Sequence, residues 1–330
     1  MILVTGGTGL VGSHLLFDLT RNNTIVRAIY RDELKFEYVK KVFSYYTDNV
    51  ETYFSKIEWF KADLNNIPDL IEAFVNVDYV YHCAALISFN TLDFELLKKA
   101  NIEGTANIVN LSISGRIKKL CYVSSVAAIG SLSKEALTEE TDWNPEEKHS
   151  VYALTKYGAE LEVWRGTQEG LNAVIVNPGV IIGPGFWNNG SGLFFTKVKK
   201  GMRFYTTGIT GYVGVKDVVT VMQNLMQSTI TNERYILVAE HLSFNIFLNK
   251  IAGVLNVNPP KFEANKTLLT LASWLDKLKC FITNTPRLLN SAIVKSAQNK
   301  TEYNTSKFKK DLQIELEDIT TVIVNTGKLF

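Results

Sequence analysis

The first twelve residues, Met1-Ile2-Leu3-Val4-Thr5-Gly6-Gly7-Thr8-Gly9-Leu10-Val11-Gly12, constrain the fold more than any other stretch of the chain. An apolar run suited to a buried strand breaks into glycines, then resumes with Leu10, Val11, Leu15, Leu16 and Leu19 at helical spacing. Gly6, Gly9 and Gly12 remove every Cβ along the turn, so a pyrophosphate would reach backbone and lie on the helix N-terminus. The G-x-x-G-x-x-G spacing alone also fits a plain strand-to-helix turn. Its place at the head of a βαβ unit is what favours a dinucleotide.

A second strand is predicted over residues 24–30, and its end bears on which dinucleotide fits. A carboxylate there would bind the ribose 2′-hydroxyl of NAD, whereas an arginine accommodates the 2′-phosphate of NADP. The strand runs into Arg31-Asp32, so Arg31 favours NADP(H) through charge-assisted hydrogen bonds. NAD(H) stays open, since a shift of one residue puts Asp32 on the ribose. A plain surface pair of Arg31 with Asp32 is the third alternative.

Residues 33–55 read as helical and aromatic-rich, ahead of a short strand at 57–61. Asp63 then either accepts from an adenine amino group or caps the next turn. A fourth strand, Tyr79-Val80-Tyr81-His82-Cys83, flows into Ala84-Ala85, whose small side chains would let backbone approach a ribose. His82 has no metal partner at ligand spacing and reads as a core residue. A long helix over 94–114 carries Asn101 on an apolar background, where a buried amide needs a water or a backbone carbonyl.

The fifth strand delivers Ser124 and Ser125 at its carboxyl end, the edge of a parallel sheet where ligands bind. In Ser150-Val151-Tyr152-Ala153-Leu154-Thr155-Lys156-Tyr157-Gly158, Tyr152 and Lys156 are one helical turn apart and share a face. Alone, this is an ordinary amphipathic pair. With Ser125 and the glycine turn it is the set a carbonyl reductase needs. Hydride transfer to a carbonyl leaves charge on oxygen, so the site must supply a proton and hydrogen bonds. A tyrosine of pKa about 10 is a poor base at neutral pH, and a neighbouring ammonium would favour its phenolate.

Together these motifs resemble the extended short-chain dehydrogenase/reductases, the NAD-dependent epimerase/dehydratase superfamily, over essentially the whole chain. Thr5 to Gly12 is similar to the family's cofactor motif, His82-Cys83-Ala84-Ala85 to its fourth-strand motif, Asn101-Ile102-Glu103-Gly104-Thr105 to its helix motif, and Tyr152 to Lys156 to its Y-x-x-x-K pair. The resemblance implies Tyr152 as acid/base, Lys156 as its modulator and ribose ligand, Ser125 as carbonyl anchor, and Asn101 as a water-holding or helix-bending residue. The implied cofactor contacts are Gly6, Thr8, Gly9, Leu10, Val11, Gly12, Arg31, Asp63, Leu64, Cys83, Ala84, Ala85, Tyr152, Lys156, Pro178, Gly179 and Ile181.

Within the family, Val176-Asn177-Pro178-Gly179-Val180-Ile181-Ile182-Gly183-Pro184 resembles the branch of dihydroflavonol 4-reductase, cinnamoyl-CoA reductase and hydroxysteroid dehydrogenase. Nucleotide-sugar epimerases and dehydratases carry a tyrosine where this chain has Ile182. The leading expectation is therefore NADPH-dependent reduction of a ketone or aldehyde on a moderately apolar small molecule. The alternatives are a nucleotide-sugar epimerase or dehydratase with tightly bound NAD, and a non-catalytic NAD(P)-binding regulator or scaffold. Phe89, Phe186, Trp187, Tyr205 and Tyr212, together with Ser125, are candidate walls of the substrate pocket.

The expected fold is α/β, a Rossmann-type doubly wound parallel sheet of about seven strands with a smaller, mostly helical C-terminal substrate-binding domain. Residues 1–179 plus 211–240 would form the nucleotide domain and 180–210 plus 241–330 the lid. Asp217 is expected in the first turn of a helix.

Lys+Arg of 35 against Asp+Glu of 33 gives a net charge of +2, without the basic stripe that nucleic acid requires. No stretch reaches membrane-span length; the apolar segment 268–283 is broken by Asp276, Lys277 and Lys279 and reads as an amphipathic packing helix. A strand starting at Met1 leaves no room for a secretory signal. Three scattered cysteines fit reduced thiols, so a cytoplasmic protein is expected. Its partner would be a small carbonyl or alcohol, with a homodimer left open.

Overall fold

The computed structural model describes residues 1–130, 136–265, 267–270 and 298–330. Its organising element is a parallel sheet built from β1 (Ile2–Thr5), β2 (Val26–Tyr30), β3 (Ile57–Lys61), β4 (Tyr79–His82), β5 (Lys119–Val123), β6 (Ala173–Pro178) and a last strand described below. The chain then leaves this sheet as β7 (Val180–Ile182), β8 (Phe204–Tyr205) and β9 (Ile209–Gly214), returns to it as β10 (Glu233–Leu237) and leaves again as β11 (Glu240–Ser243); β8 pairs separately with Phe262–Glu263. The seven-stranded order is β10-β6-β5-β4-β1-β2-β3, the doubly wound arrangement expected from the sequence. The winding reverses between β1 and β4, where Thr5 pairs with His82. In open α/β sheets a ligand crevice forms at such a switch point.

Both faces of the sheet are covered, which explains its nearly continuous apolar strands. On β5, Cys121 and Val123 join one core with Leu15, Leu16, Phe17 and Met222, while Leu120 and Tyr122 join the opposite core with Ile108, Val109, Ala159 and Val163. Each such fully buried aliphatic or aromatic side chain contributes roughly 1.5–3 kcal/mol. A third core gathers Ile182, Phe195, Phe247, Ile251 and Val322 beside the three-stranded sheet β11-β9-β7.

Three local departures from the sequence expectation have physical causes. The segment 33–55 is not one helix but a 3-10 turn Glu33–Lys35 followed by helices Phe36–Phe43 and Val50–Phe54. The first helix ends at a Ser44 cap, and Thr47 accepts the Asn49 amide in a side-chain turn before the second begins. The helix over 94–114 is interrupted by a π-helical stretch, Lys98–Glu103, that contains Asn101. Of the amphipathic helix expected over 268–283, residues 268–270 are helical and 271–283 lie outside the described residues, as does Cys280.

The helix Val215–Gln227 starts after Gly214 and carries Asp217 in its first turn, where the carboxylate accepts the Glu317 amide. Burial raises the Asp217 carboxyl to about 6, with the Glu317 charge adding to it and hydrogen bonds opposing it. Because the folded value lies above the unfolded one, the folded chain holds more protons between about pH 4 and about pH 6, and stability falls as pH rises through that window. Denaturant unfolding of Asp217→Asn and the parent across this range should show the variant gaining on the parent as pH rises, then a constant difference above it; identical slopes would contradict the assignment.

Candidate active site

The glycine turn joins β1 to the helix Leu10–Arg21. Gly6 sits at φ +68°, and a Cβ there would meet Ala84 N at 2.6 Å and Ala84 Cα at 2.7 Å, so only glycine lets β1 pass the end of β4 this closely. Gly9 differs: beyond its chain neighbours, a Cβ on it would meet Gly6 O at 3.3 Å and nothing else within 4 Å, which leaves the space over the helix N-terminus open.

That helix has no acid in its first turn and no side-chain cap, so its amide dipoles face that space uncompensated. Thr8, Gly9 and Leu10 are half-buried around it, whereas Val11 packs into the core and offers only backbone. This cradle suits a dinucleotide pyrophosphate.

The remaining residues expected to meet the cofactor lie on or just after β2, β3, β4, β6 and β7. Ala84 donates its amide to Thr5 Oγ1 at 3.3 Å, and Cys83 donates to Thr5 O at 3.2 Å. Burial pushes the Cys83 thiol up to about 12 against the pull of Lys156, which leaves it a neutral group. Ala85 is exposed at the crevice rim.

Asp63 does act as a turn residue, accepting the Asn65 amide at 2.9 Å. Burial pushes its carboxyl up, but the Asn65 donors and the Arg31 charge outweigh that and hold it below the usual range. Leu64 offers its carbonyl to Asn107 at 2.8 Å and packs against Gly104. Arg31 and Asp63 approach to 3.5 Å at an exposed surface. Asp32 accepts the Leu34 amide at 3.0 Å and caps the turn Glu33–Lys35.

Beyond β6, Gly179 donates to Leu237 O at 3.0 Å and faces Gly211 so closely that a Cβ would not fit. Pro178 is buried, and Ile181 packs on the core while its carbonyl accepts Ser191 Oγ at 2.5 Å.

The chemistry-bearing residues converge beside β5. Ser125 ends the strand extended, and its Oγ accepts the Ala127 amide at 3.1 Å. The helix Val151–Gln168, capped by Ser150, carries Tyr152 and Lys156. Burial raises the Tyr152 phenol to about 12, and a hydrogen bond with the Ser125 side chain opposes the rise. Lys156 is 1% exposed, and its Nζ donates to Tyr122 Oη at 2.7 Å and to Val123 O at 2.9 Å. Burial lowers its pKa to about 7, against the attraction of Glu160. In the protein alone burial is the largest cause of both shifts, and Lys156 Nζ is turned to β5.

Asn101 clamps one backbone unit, accepting Leu86 N at 2.7 Å and donating to Leu86 O at 3.0 Å, with a further bond to Thr155 Oγ1 at 3.1 Å. Its buried amide thus meets a backbone carbonyl, and it fastens the loop after β4 to the helix that bears Tyr152.

Of the five proposed pocket aromatics, Phe89 lies against the Tyr152 ring at 5.6 Å. Phe186 stacks on Tyr38 at 5.7 Å. The others belong to packing: Tyr212 is fully buried and stacks on Phe247 at 4.4 Å, Trp187 meets Phe195 and Phe330 edge-on, and Tyr205 packs on the same third core.

Sequence reasoning missed the network behind the site. Glu160, whose side chain is 2% exposed, accepts Ser124 Oγ at 2.6 Å and Asn177 Nδ2 at 2.7 Å, and pairs with Arg234 at 2.9 Å. Asn177 Nδ2 also holds Ser125 O at 3.1 Å. The two serines therefore divide, Ser124 inward to Glu160 and Ser125 outward to Tyr152. The signal was present: Glu160 follows Lys156 by one helical turn on the same face.

Among the described residues no helix is long and apolar enough to cross a membrane, and no group of His, Cys, Asp and Glu could hold a metal ion.

The model of the NAD dependent epimerase/dehydratase family matches residues 2–237. A putative dihydroflavonol 4-reductase of Synechocystis is 28% identical over 99% of this chain and 93% of its own length. Anthocyanidin reductase of Arabidopsis thaliana is 25% identical over 79% of this chain and 81% of its own. The fold is shared with a UDP-glucose 4-epimerase from Thermotoga maritima, at TM-score 0.77 and 19% identity over 100% of this chain and 98% of that one.

Removing one partner of a buried ion pair leaves an uncompensated charge. Arg234→Ala should therefore destabilise the fold by about 3–5 kcal/mol, read as an earlier denaturant midpoint; a shift below about 1 kcal/mol, typical of exposed pairs, would contradict the buried-network description.

Proposed function

The chain belongs to the NAD-dependent epimerase/dehydratase family and is an NAD(P)-dependent oxidoreductase of the extended short-chain dehydrogenase/reductase type; from that premise we propose that it uses NADPH to reduce a ketone or aldehyde on a moderately apolar small molecule. The observation that carries this reading is the grouping of Ser125, Tyr152 and Lys156 at the end of β5, with the half-exposed Phe89 against the tyrosine ring.

In this reading the nicotinamide, when bound, supplies the hydride. The Ser125 and Tyr152 hydroxyls bind the carbonyl oxygen. With its pKa near 12, Tyr152 is fully protonated at neutral pH and is the acid that reduction requires. Its proton goes to the oxygen as negative charge builds there. Lys156, held at the end of β5 one helical turn from Tyr152, places its ammonium to favour the phenolate left behind and to meet the ribose. The glycine turn and the helix N-terminus hold the pyrophosphate, alongside the other cofactor contacts anticipated from the sequence. Phe89, Phe186 and the described residues of 180–210 plus 241–330 form the substrate side.

Arg31 supports NADPH. Its ion pair with Asp63 is long and exposed, of the kind worth little, so the guanidinium is available to a 2′-phosphate. Relatives named as reductases support the direction of reaction, and Ile182 in place of the epimerases' tyrosine weighs the same way.

Paired NADPH and NADH titrations test the cofactor assignment. The parent should prefer NADPH, and Arg31→Ala should lose about 10-fold or more of that affinity, the worth of charge-assisted hydrogen bonds, with NADH binding little changed; a parent that prefers NADH overturns it. Tyr152→Phe should lower carbonyl reduction by about 10²–10⁴-fold with cofactor affinity kept, and unchanged turnover would contradict its role as acid. Release of stoichiometric NAD on denaturing the purified protein would favour the epimerase chemistry instead.

A further inference from the structure

Behind Lys156 lies a line of polar groups that the reaction as described leaves unused. Lys156 Nζ lies 2.7 Å from Tyr122 Oη, and Tyr122 is hydrogen-bonded to the Thr105 side chain. Thr105 Oγ1 is 2.9 Å from His82 Nε2, and His82 Nδ1 is 2.6 Å from Thr5 Oγ1, which also accepts the Ala84 amide. Thr5, His82, Thr105 and Lys156 are all buried polar residues, and Tyr122 is 1% exposed. The imidazole stacks on the Tyr122 ring at 5.3 Å. The line therefore runs from the lysine, through Tyr122 and its Thr105 neighbour, under the end of β4, to the residue that opens the glycine turn.

Each member is a hydroxyl or a neutral imidazole, so each accepts on one side and donates on the other. Two arrangements satisfy every contact. With a Lys156 ammonium at one end, donation runs from Nζ to Tyr122, from Tyr122 to Thr105, from Thr105 to His82 Nε2, and from His82 Nδ1–H to Thr5. With a neutral amine, the Nζ lone pair accepts Tyr122 O–H, and every bond reverses: Thr105 donates to Tyr122, His82 Nε2–H to Thr105, and Thr5 to His82 Nδ1. The arrangements differ by one proton, released from the ammonium to water, and no electrons move.

We propose that Tyr122, Thr105, His82 and Thr5 form a reversible hydrogen-bonded relay that positions Lys156 and reports its protonation state as a switch of the His82 tautomer. Tyr122 and His82 are thus positioning residues, and their value to catalysis rests on the reading that Lys156 serves Tyr152.

The electrostatics keep the relay within reach of neutral pH. Burial holds His82 near 3, with Lys156 adding to the effect, so the ring stays neutral and only its tautomer is free to change. Lys156 itself stands at about 7. The titratable groups around the Lys156–Tyr122 contact are Glu160 and Tyr152 from the same helix as the lysine, and Cys83 and His82 from the β4 side. Burial holds Cys83 and Tyr152 at about 12, so neither changes charge near neutrality.

The direct test is long-range ¹H–¹⁵N spectroscopy of the four histidines in the cofactor-free full chain from pH 5.5 to 9, with His82→Gln used to assign the ring. His82 should pass from the Nδ1–H to the Nε2–H form with one inflection near pH 7, where Lys156 titrates. The inflection should vanish in Tyr122→Phe and in Lys156→Met, and persist in Thr105→Ser, which keeps the hydroxyl. A His82 tautomer that is constant with pH, or an inflection that survives in Lys156→Met, overturns the proposal; the lysine variant carries the test should Tyr122→Phe fail to fold.

In turnover, Tyr122→Phe should move the alkaline limb of carbonyl reduction down by about one pH unit, because a hydrogen bond to a charged group is worth about tenfold or more. A residue that merely fills space would lower the rate without moving the limb. The spectroscopic readout needs neither cofactor nor substrate, so its failure is distinct from failure of the reductase reading.

Discussion

An ammonium group held inside the protein is the constraint around which this site is arranged. Lys156 is almost fully buried, and an isolated charge there would be prohibitively unstable. The chain answers with three features: the Tyr122 hydroxyl and the Val123 carbonyl at hydrogen-bonding distance, and the Glu160 carboxylate one helical turn away. Glu160 is itself buried and has its own partners in Arg234, Ser124 and Asn177. Through them the requirement spreads to β5, β6 and β10. Asn177 then reaches the backbone of Ser125, so the network that neutralises the lysine also fixes the serine beside Tyr152.

The second constraint is steric. The sheet reverses its winding between β1 and β4, and the two strand ends approach so closely that Gly6 cannot carry a side chain. That approach puts the glycine turn, the small residues after β4 and the polar line of Thr5 and His82 in one place. Hydrogen bonds through the core therefore run from the glycine turn through His82 to Thr105. Asn101 adds a clasp from the other side, inside the one π-helical stretch among the described residues.

The parts legible in the sequence were those with short-range signatures. Glycine spacing, strand ends and the one-turn separation of Tyr152 and Lys156 suffice to place the turn, the parallel strands and the two residues on one helix face. What was not legible depends on contacts between distant segments. Tyr122 looks like any aromatic of a buried strand, and only the packing of helix Val151–Gln168 on its face of the sheet reveals it as the lysine's partner. Arg234 lies seventy-four positions from Glu160, beyond the reach of any periodicity. Tyr212 was also beyond local reach: it lies inside β9, and only the distant helix Phe244–Val254, whose Phe247 stacks on it, makes it core.

The central claim is that this site passes a hydride from NADPH to a carbonyl and lets the oxidised cofactor go. It is tested most directly by incubating the protein with NADPH deuterated at the nicotinamide C4, one face at a time, and a panel of apolar ketones and aldehydes, then measuring the alcohols by mass spectrometry. The account predicts one deuterium on the carbinol carbon, from one face only, with one NADP⁺ released per alcohol. Retention of the label on bound cofactor, with no net NADP⁺ and with a nucleotide sugar isomerised instead, would contradict it.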